Sequence, residues 1–319
     1  NNEILRTTYI NNGKEILQKV NNEYDIDVKY LEDIEDITEA EERIVRPFDL
    51  KKAPLIHIGI IKLKRNDFVI IIDIHHIAAD GISLSIIWKE FWEIYCDKRN
   101  TNKKIQYKDY VMWMNEEQKK EELHRQKKYW LKIFQGHIPI LNLLTDYDRK
   151  PKQNFEGDCV NIKIGKDLIE DLKRINRETD TTMNMLLVAA LFVLVHKYTG
   201  QNDIIIGIPV SGRTHPNLEN MIGMFVNTVA LRNMPREEIK FREFLKEVRD
   251  TMIEALQNQE YPFDELIEEL KIEKDYSRNP LFNIMFSYNN YSDNSERPRG
   301  MKVTSFQNER KEAKFEISV

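Results

Sequence analysis

Cysteine is nearly absent from this 319-residue chain: only Cys96 and Cys159 occur. Their spacing suits neither a metal cluster nor a redox pair, and two thiols cannot build a disulfide framework, so a reducing cytoplasm is the expected compartment. An excess of basic residues is also missing. Lys and Arg total 48 against 53 Asp and Glu, for a net charge of −5 and a pI near 5.9. That balance argues against a general nucleic-acid binder, because neutralising phosphates needs a basic surface. No apolar run is long enough for a membrane. The longest, within "MNMLLVAALFVLVHKYTG", has about 13 apolar residues where about 20 are needed; it reads as a buried helix ending at Gly200. The opening "NNEILRTTYI" lacks the basic start and apolar stretch of a signal peptide. The chain has no initiator methionine and ends on the strand-like "AKFEISV", so a piece of a longer polypeptide is expected.

The apolar content, 41% hydrophobic residues, suffices for one large or two medium cores. Alternation predicts strands at "EILRTTYI" and "KEILQKV" around the turn "NNGK", and a second pair at "PLIHIGIIKLK" and "DFVIIIDIHH". Between them, "LEDIEDITEAEERIVRPFDL" reads as an acidic amphipathic helix with a solvated charged face. Helices are expected from "ISLSIIWKEFWEIYCDK" and over residues 115–132. "PILNLLTDYDRKPKQNFEG" reads as a linker. The second half repeats the order. It predicts a strand at "DCVNIKIG", helices over 167–178, 182–198 and 241–258, and strands at "NDIIIGIPVSGR", "MIGMFVNTVALR" and "LFNIMFSYNN". A polar loop over 291–300 then precedes the last strands. The expected division is an N-terminal lobe over residues 1–137 and a C-terminal lobe over 138–319.

The stretch with the most chemistry is "IIDIHHIAADGIS", residues 71–83. A run of strand formers ends in two histidines, followed by an aspartate and a glycine. Neighbouring side chains on a strand point to opposite faces, so the two imidazoles have different tasks. His76, projecting from the strand end, can accept a proton near neutral pH. His75 would brace the loop. Asp80 precedes the next helix and can cap it, or pair with an arginine that holds the turn. Gly81 is expected to supply a backbone conformation closed to other residues. The plainer alternative is a helix cap beside two ordinary histidines. A metal site is disfavoured, since the adjacent histidines diverge and no third ligand has matching spacing. A serine hydrolase lacks its G-x-S-x-G elbow.

The turn has company. "HHIAADG" is similar to the HHxxxDG signature of condensation domains from nonribosomal peptide synthetases. Further stretches follow that family's order. "NEILRTTY" resembles RHExLRTxF, "YKDYVMW" resembles YxDYAxW, and "IGMFVNTVALR" resembles IGxFVNTxxxR. "QEYPFDEL" is similar to HQDYPFE, "DYSRNPLFN" to RxxSRxPLF, and "GIPVSGR" to a family strand. One departure is "NNE" in place of RHE; the motif upstream of it and the family's last segment do not appear, so the piece is expected to be clipped at both ends.

The resemblance implies an α/β fold of two chloramphenicol-acetyltransferase-like lobes in a V-shaped pseudodimer. It also implies a tunnel where two carrier proteins deliver phosphopantetheine thioesters. In that family the acceptor amine attacks the donor thioester, so the implied function is amide-bond formation with no cofactor or metal bound by the domain. The implied partners are upstream and downstream peptidyl carrier domains and an adenylation domain, with no nucleic acid and no membrane. Carried over by motif, His76 is the catalytic residue, as general base or as a group that positions the amine. His75, Asp80 and Gly81 support the turn, and Arg213 of "PVSGR" is the expected salt-bridge partner of Asp80 across the lobes. Arg6, Asn227, Thr228, Ser277 and Arg278 are substrate or tunnel candidates; for the last four, as for Tyr261 and Pro262, the plainer reading is structural. "GISLSII" resembles the type that joins two L-residues more than the tryptophan-rich epimerisation type. Heterocyclisation domains carry aspartates in place of the histidines. The alternatives are a starter domain with a fatty acyl donor, a degenerate carrier-binding domain, and a relative that acylates an alcohol or free amine.

Overall fold

A computed structural model describes residues 2–32, 34, 36–63, 67–98, 105–289, 300–304 and 312–319. The chain is a mixed α/β protein. Among the described residues, contacts gather 2–116, 213–225 and 300–303 into one unit, and 117–212, 226–289, 304 and 312–319 into another. The expected break at 137/138 differs from this division in two ways. The charged helix after residue 116 packs with the second unit, because Trp130 and Phe134 are buried in that unit's core. Residues 213–225, from the second half of the sequence, belong to the first unit.

In the first unit, β1 (Thr7–Asn11) and β2 (Ile16–Val20) form an antiparallel hairpin around Gly13, whose φ is +85°. Residues Glu3–Arg6, expected to extend that strand, are a 3-10 turn. A second sheet has the order β3-β4-β5: β3 (Val28–Leu31) runs parallel to β4 (Ile56–Lys62), and β4 is antiparallel to β5 (Phe68–Ile74). The predicted pairing of the two isoleucine-rich runs is therefore present. The acidic helix is shorter than its charge pattern suggests: α1 spans only Ile37–Ile44. Leu31 is recruited by β3, while Pro47 disfavours helical geometry at Arg46 and the chain is already extended at Val45. Residues 33 and 35 of that stretch lie outside the described residues. Helix α2 (Gly81–Tyr95) and α3 (Tyr107–Met114) complete the unit.

The second unit contains α4 (Glu117–Ile133), α5 (Lys166–Thr179) and α6 (Met183–Thr199). Thr182 caps α6 by accepting the Met185 N–H at 3.2 Å, and Gly200 ends it at φ +70°. Among the described residues no single helix is long and apolar enough to cross a membrane; α5 and α6 meet at a 99° bend, and α6 buries residues such as Val188 and Phe192 in the core. The sheet follows the order β7-β6-β8-β9, from β6 (Ile204–Val210), β7 (Asn227–Asn233), β8 (Ile284–Met285) and β9 (Ile317–Ser318). α7 (Phe241–Gln257) and α8 (Phe263–Leu270) pack against it.

Three predicted strands shrink or vanish. "DCVNIKIG" is not a strand: its alternation leaves Val160 85% and Ile162 83% exposed, and among the described residues the nearest pairing is the single bridge Glu156–Glu312. Alternation alone does not make a strand; a ladder partner does. "MIGMFVNTVALR" is strand only from Asn227, because 221–225 turns into the first unit. "LFNIMFSYNN" keeps two strand residues. Of the polar loop expected at 291–300, residues 291–299 lie outside the described residues.

Candidate functional site

β5 stops at Ile74, so both histidines lie just past the strand, and Asp80 opens α2 by accepting the Ser83 N–H at 2.7 Å. The turn between them is held by backbone hydrogen bonds, one within it and one to the residue before β4: Ala78 N–H donates to the His75 carbonyl at 2.9 Å and His75 N–H to the Leu55 carbonyl at 3.2 Å. The two imidazoles then take opposite roles. His75 is half-buried, stands edge-on to Phe48 at 5.7 Å, and accepts the Ile77 N–H on Nδ1 at 3.1 Å. A ring nitrogen that accepts carries no proton, so neutral His75 holds its proton on Nε2. His76 is exposed, and its Nδ1 lies 3.0 Å from the Ala79 carbonyl oxygen. A carbonyl can only accept, so neutral His76 carries its proton on Nδ1 and presents the Nε2 lone pair outward. That is the arrangement a general base requires. Tyr9, buried in the first unit, adds a bond from its hydroxyl to the Ile77 carbonyl at 3.3 Å; burial pushes its pKa up to about 12, so it stays a donor.

Asp80 and Arg213 form a buried ion pair, their side chains 3% and 4% exposed. Arg213 Nη2 donates to both carboxylate oxygens, at 3.0 and 3.2 Å, and to Ser83 Oγ at 3.0 Å. Its Nη1 donates to the Leu218 carbonyl and, at 2.7 Å, to that of Met221; the guanidinium stacks 4.2 Å over Phe225. The carboxylate also accepts the Phe225 N–H at 3.2 Å. The pair was expected to join the two lobes. It lies instead within the first unit, because 213–225 belongs there.

Gly81 departs from expectation. Its φ lies outside the left-handed region, and a Cβ built there meets nothing within 4 Å. It is the first residue of a regular helix, so the glycine is not demanded by backbone strain or by crowding within the chain. Gly223 is the opposite case. A Cβ there would run into the Tyr107 ring, whose hydroxyl donates to the Met224 carbonyl at 2.8 Å. Burial, with smaller contributions from nearby Tyr110, Tyr9 and Asp80, raises the Tyr107 pKa and keeps that phenol a donor.

The other sequence candidates have structural partners. Arg6 donates to the Asn21 carbonyl at 2.5 Å, beside the β1–β2 hairpin, and lies 3.5 Å from Glu3. In the second unit, the Asn227 amide nitrogen donates to the carbonyls of Gln259 and Tyr261 at 2.8 and 2.7 Å, and its oxygen accepts the Phe263 N–H at 3.1 Å. Thr228 pairs with Pro209 in the β6–β7 ladder. Ser277 and Arg278 both engage Asp275, at 2.6 and 2.9 Å. Thus His75, His76, Asp80, Gly81 and Arg213 are brought together in one unit, Arg6 sits in that unit at the hairpin, and the remaining four lie in the other. Sequence reasoning missed Ser83, Gly223 and the pinning of Asn227 to the turn before α8. The only local signal for Ser83 was a hydroxyl three residues past a helix cap. Among the described residues no cluster of histidine, cysteine or carboxylate could hold a metal ion.

Asn227 supplies a sharp test. Asn227→Ala should lower stability by about 2–3 kcal/mol, since three hydrogen bonds of about 1 kcal/mol each are lost. Asn227→Asp should do no better, because a carboxylate would face two carbonyl oxygens with nothing to donate. Thermal melting of the two variants decides this; an aspartate variant as stable as the parent would refute the assignment.

The family model described as Condensation domain matches residues 1–319. The chain belongs to the condensation-domain family. It is 45% identical over 318 residues to gramicidin S synthase 2 of Aneurinibacillus migulanus, covering 99% of this chain and 7% of that protein. Bacitracin synthase 3 of Bacillus licheniformis is 41% identical over 319 residues, again 99% of this chain but 5% of that protein. The chain therefore spans a small fraction of the length of these relatives. The fold matches the condensation domain of the monacolin K polyketide synthase, with a TM-score of 0.79 at 21% identity, covering 89% of this chain and 69% of that one. A four-domain nonribosomal peptide synthetase bound to AMP and glycine matches with the same TM-score at 21% identity, over 91% of this chain and 22% of the other.

Proposed function

We propose that this condensation domain joins a carrier-bound donor aminoacyl or peptidyl thioester to the amine of a carrier-bound acceptor aminoacyl group, as the L-to-L type. The observation that carries this reading is the exposed His76 ring, with Nδ1–H tied to the Ala79 carbonyl and Nε2 left as an outward acceptor. The acceptor nitrogen attacks the thioester carbon, the C–S bond breaks, and the thiol leaves. His76 Nε2 takes the proton that the nitrogen sheds and returns it to the leaving sulfur, or orients the amine for attack. A thioester is already activated, so orientation alone can supply much of the rate; well-placed reactants gain up to about 7–11 kcal/mol. Asp80 and Arg213 hold the turn and do not touch substrate. Phosphopantetheine arms of upstream and downstream carrier domains bring both substrates, and an adenylation domain loads them; the domain itself binds no cofactor. The reducing cytoplasm suits the free thiols this chemistry passes between.

The L-to-L assignment draws support from "GISLSII" after the signature and from the peptide synthases to which the chain is similar. Fold alone does not select a subtype, since a starter condensation domain of rhizomide synthetase shares it, with a TM-score of 0.71 at 18% identity. The test offers the domain aminoacyl- and fatty-acyl-loaded donor carriers side by side with one aminoacyl acceptor carrier. Mass spectrometry of the acceptor should show dipeptidyl product. Preferential fatty-acyl transfer would replace this reading with the starter type. No transfer from either donor would leave a carrier-binding domain.

A further inference from the structure

Ser83 is fully buried, yet its hydroxyl bonds are not those usual for a serine in a helix. Such a hydroxyl commonly turns back to a carbonyl three or four residues earlier. Here Oγ–H donates to the Gly223 carbonyl at 2.8 Å, 140 positions away, and its lone pairs accept the Gly223 N–H at 3.0 Å and Arg213 Nη2 at 3.0 Å. The Gly223 carbonyl has a second donor, the Asp80 N–H at 3.2 Å. That N–H belongs to the peptide linking Ala79 and Asp80, and the carbonyl of the same peptide accepts His76 Nδ1–H at 3.0 Å. A peptide group is a rigid plane, so fixing one edge fixes the other. A continuous path therefore runs from the Ser83 hydroxyl through the Gly223 carbonyl and the 79–80 peptide to the imidazole, and hydrogen bonds in such a chain polarise one another.

We infer that Ser83 is a positioning residue for His76: it sets the plane of the 79–80 peptide and so holds the imidazole with its proton on Nδ1 and its lone pair on Nε2. This rests on the reading of His76 as the reactive group. Removing the hydroxyl strands the buried Gly223 N–H and takes one acceptor from Arg213, which frees the Gly223 carbonyl to shift. Replacement by threonine keeps the hydroxyl; replacement by cysteine keeps bulk with only a weak donor.

The test combines histidine-selective 15N labelling with steady-state transfer kinetics between loaded carriers, for the parent, Ser83→Ala, Ser83→Cys and Ser83→Thr. The His76 resonances are assigned by their loss in His76→Ala and read at a pH where the ring is neutral. In Ser83→Ala the Nδ1–H form of His76 should lose population to the Nε2–H form, and kcat should fall about tenfold, the rate equivalent of one hydrogen bond, with KM unchanged. Ser83→Thr should restore both. If Ser83→Ala fails to fold, Ser83→Cys is read in the same way. A parental tautomer balance and kcat in the folded alanine or cysteine variant overturn the inference, as does a lower melting temperature with the tautomer unmoved. A shifted tautomer in a domain whose parent transfers no acyl group would uphold the relay while rejecting the condensation reading.

Discussion

His76→Ala should reduce peptide-bond formation between two loaded carriers by about 10²–10⁴-fold, the usual contribution of a positioned proton-transfer group, and leave the melting temperature nearly unchanged. The imidazole is exposed and, among the described residues, its one hydrogen bond is to a local carbonyl, so its loss costs about 0.5 kcal/mol or less, as at ordinary surface sites. His76→Asn separates the two roles open to this residue. Its amide nitrogen can keep the bond to the Ala79 carbonyl but offers no basic nitrogen at the Nε2 position. If His76 acts as base, asparagine should be as slow as alanine; if it acts by orienting the amine, asparagine should recover part of the rate. Parental product yield from the alanine variant would remove His76 from the mechanism.

Asp80→Ala should give the largest loss of stability. The substitution leaves the Arg213 guanidinium, 4% exposed, without its carboxylate; breaking one side of a buried pair costs about 3–5 kcal/mol. It also removes the cap of α2, a further loss of about 1 kcal/mol, and orphans the Phe225 N–H. Urea unfolding should show an earlier transition and lower soluble yield. Combining Asp80→Ala with Arg213→Met should recover part of the loss, since the unpaired charge is what costs most. If Asp80→Ala instead melts like the parent yet transfers no acyl group, the carboxylate acts directly on substrate. Activity and stability falling together fits a residue that holds the turn.

Local patterns carried much of this protein. The isoleucine runs at 56–62 and 68–74 pair as their alternation requires. Thr182 and Gly200 bracket a buried helix as caps should. A strand leading into two histidines and then an aspartate cap was legible because each feature lies within a dozen residues, although the strand itself stops at Ile74, before the histidines. The motif order identified the family, and the family comparison agrees with it.

Other features depend on chain segments that meet only after folding. The "DCVNIKIG" alternation has the period of a strand but no ladder partner among the described residues, because pairing is a property of two segments and periodicity of one. Arg213 could be matched to Asp80 by motif, but not placed in the same unit, because the return of residues 213–225 to the first unit leaves no local mark. The opposite tautomers of His75 and His76 follow from which atoms face Ile77 N–H and the Ala79 carbonyl, which identity and spacing do not encode. Sequence by itself determined the residues of the turn, the elements flanking it and the family. Only the tertiary structure decided which ring atom each imidazole turns to its neighbouring peptide and which buried hydroxyl backs the turn; the partners of that hydroxyl lie 130 or more positions away and are chosen by packing and not by neighbours in the chain.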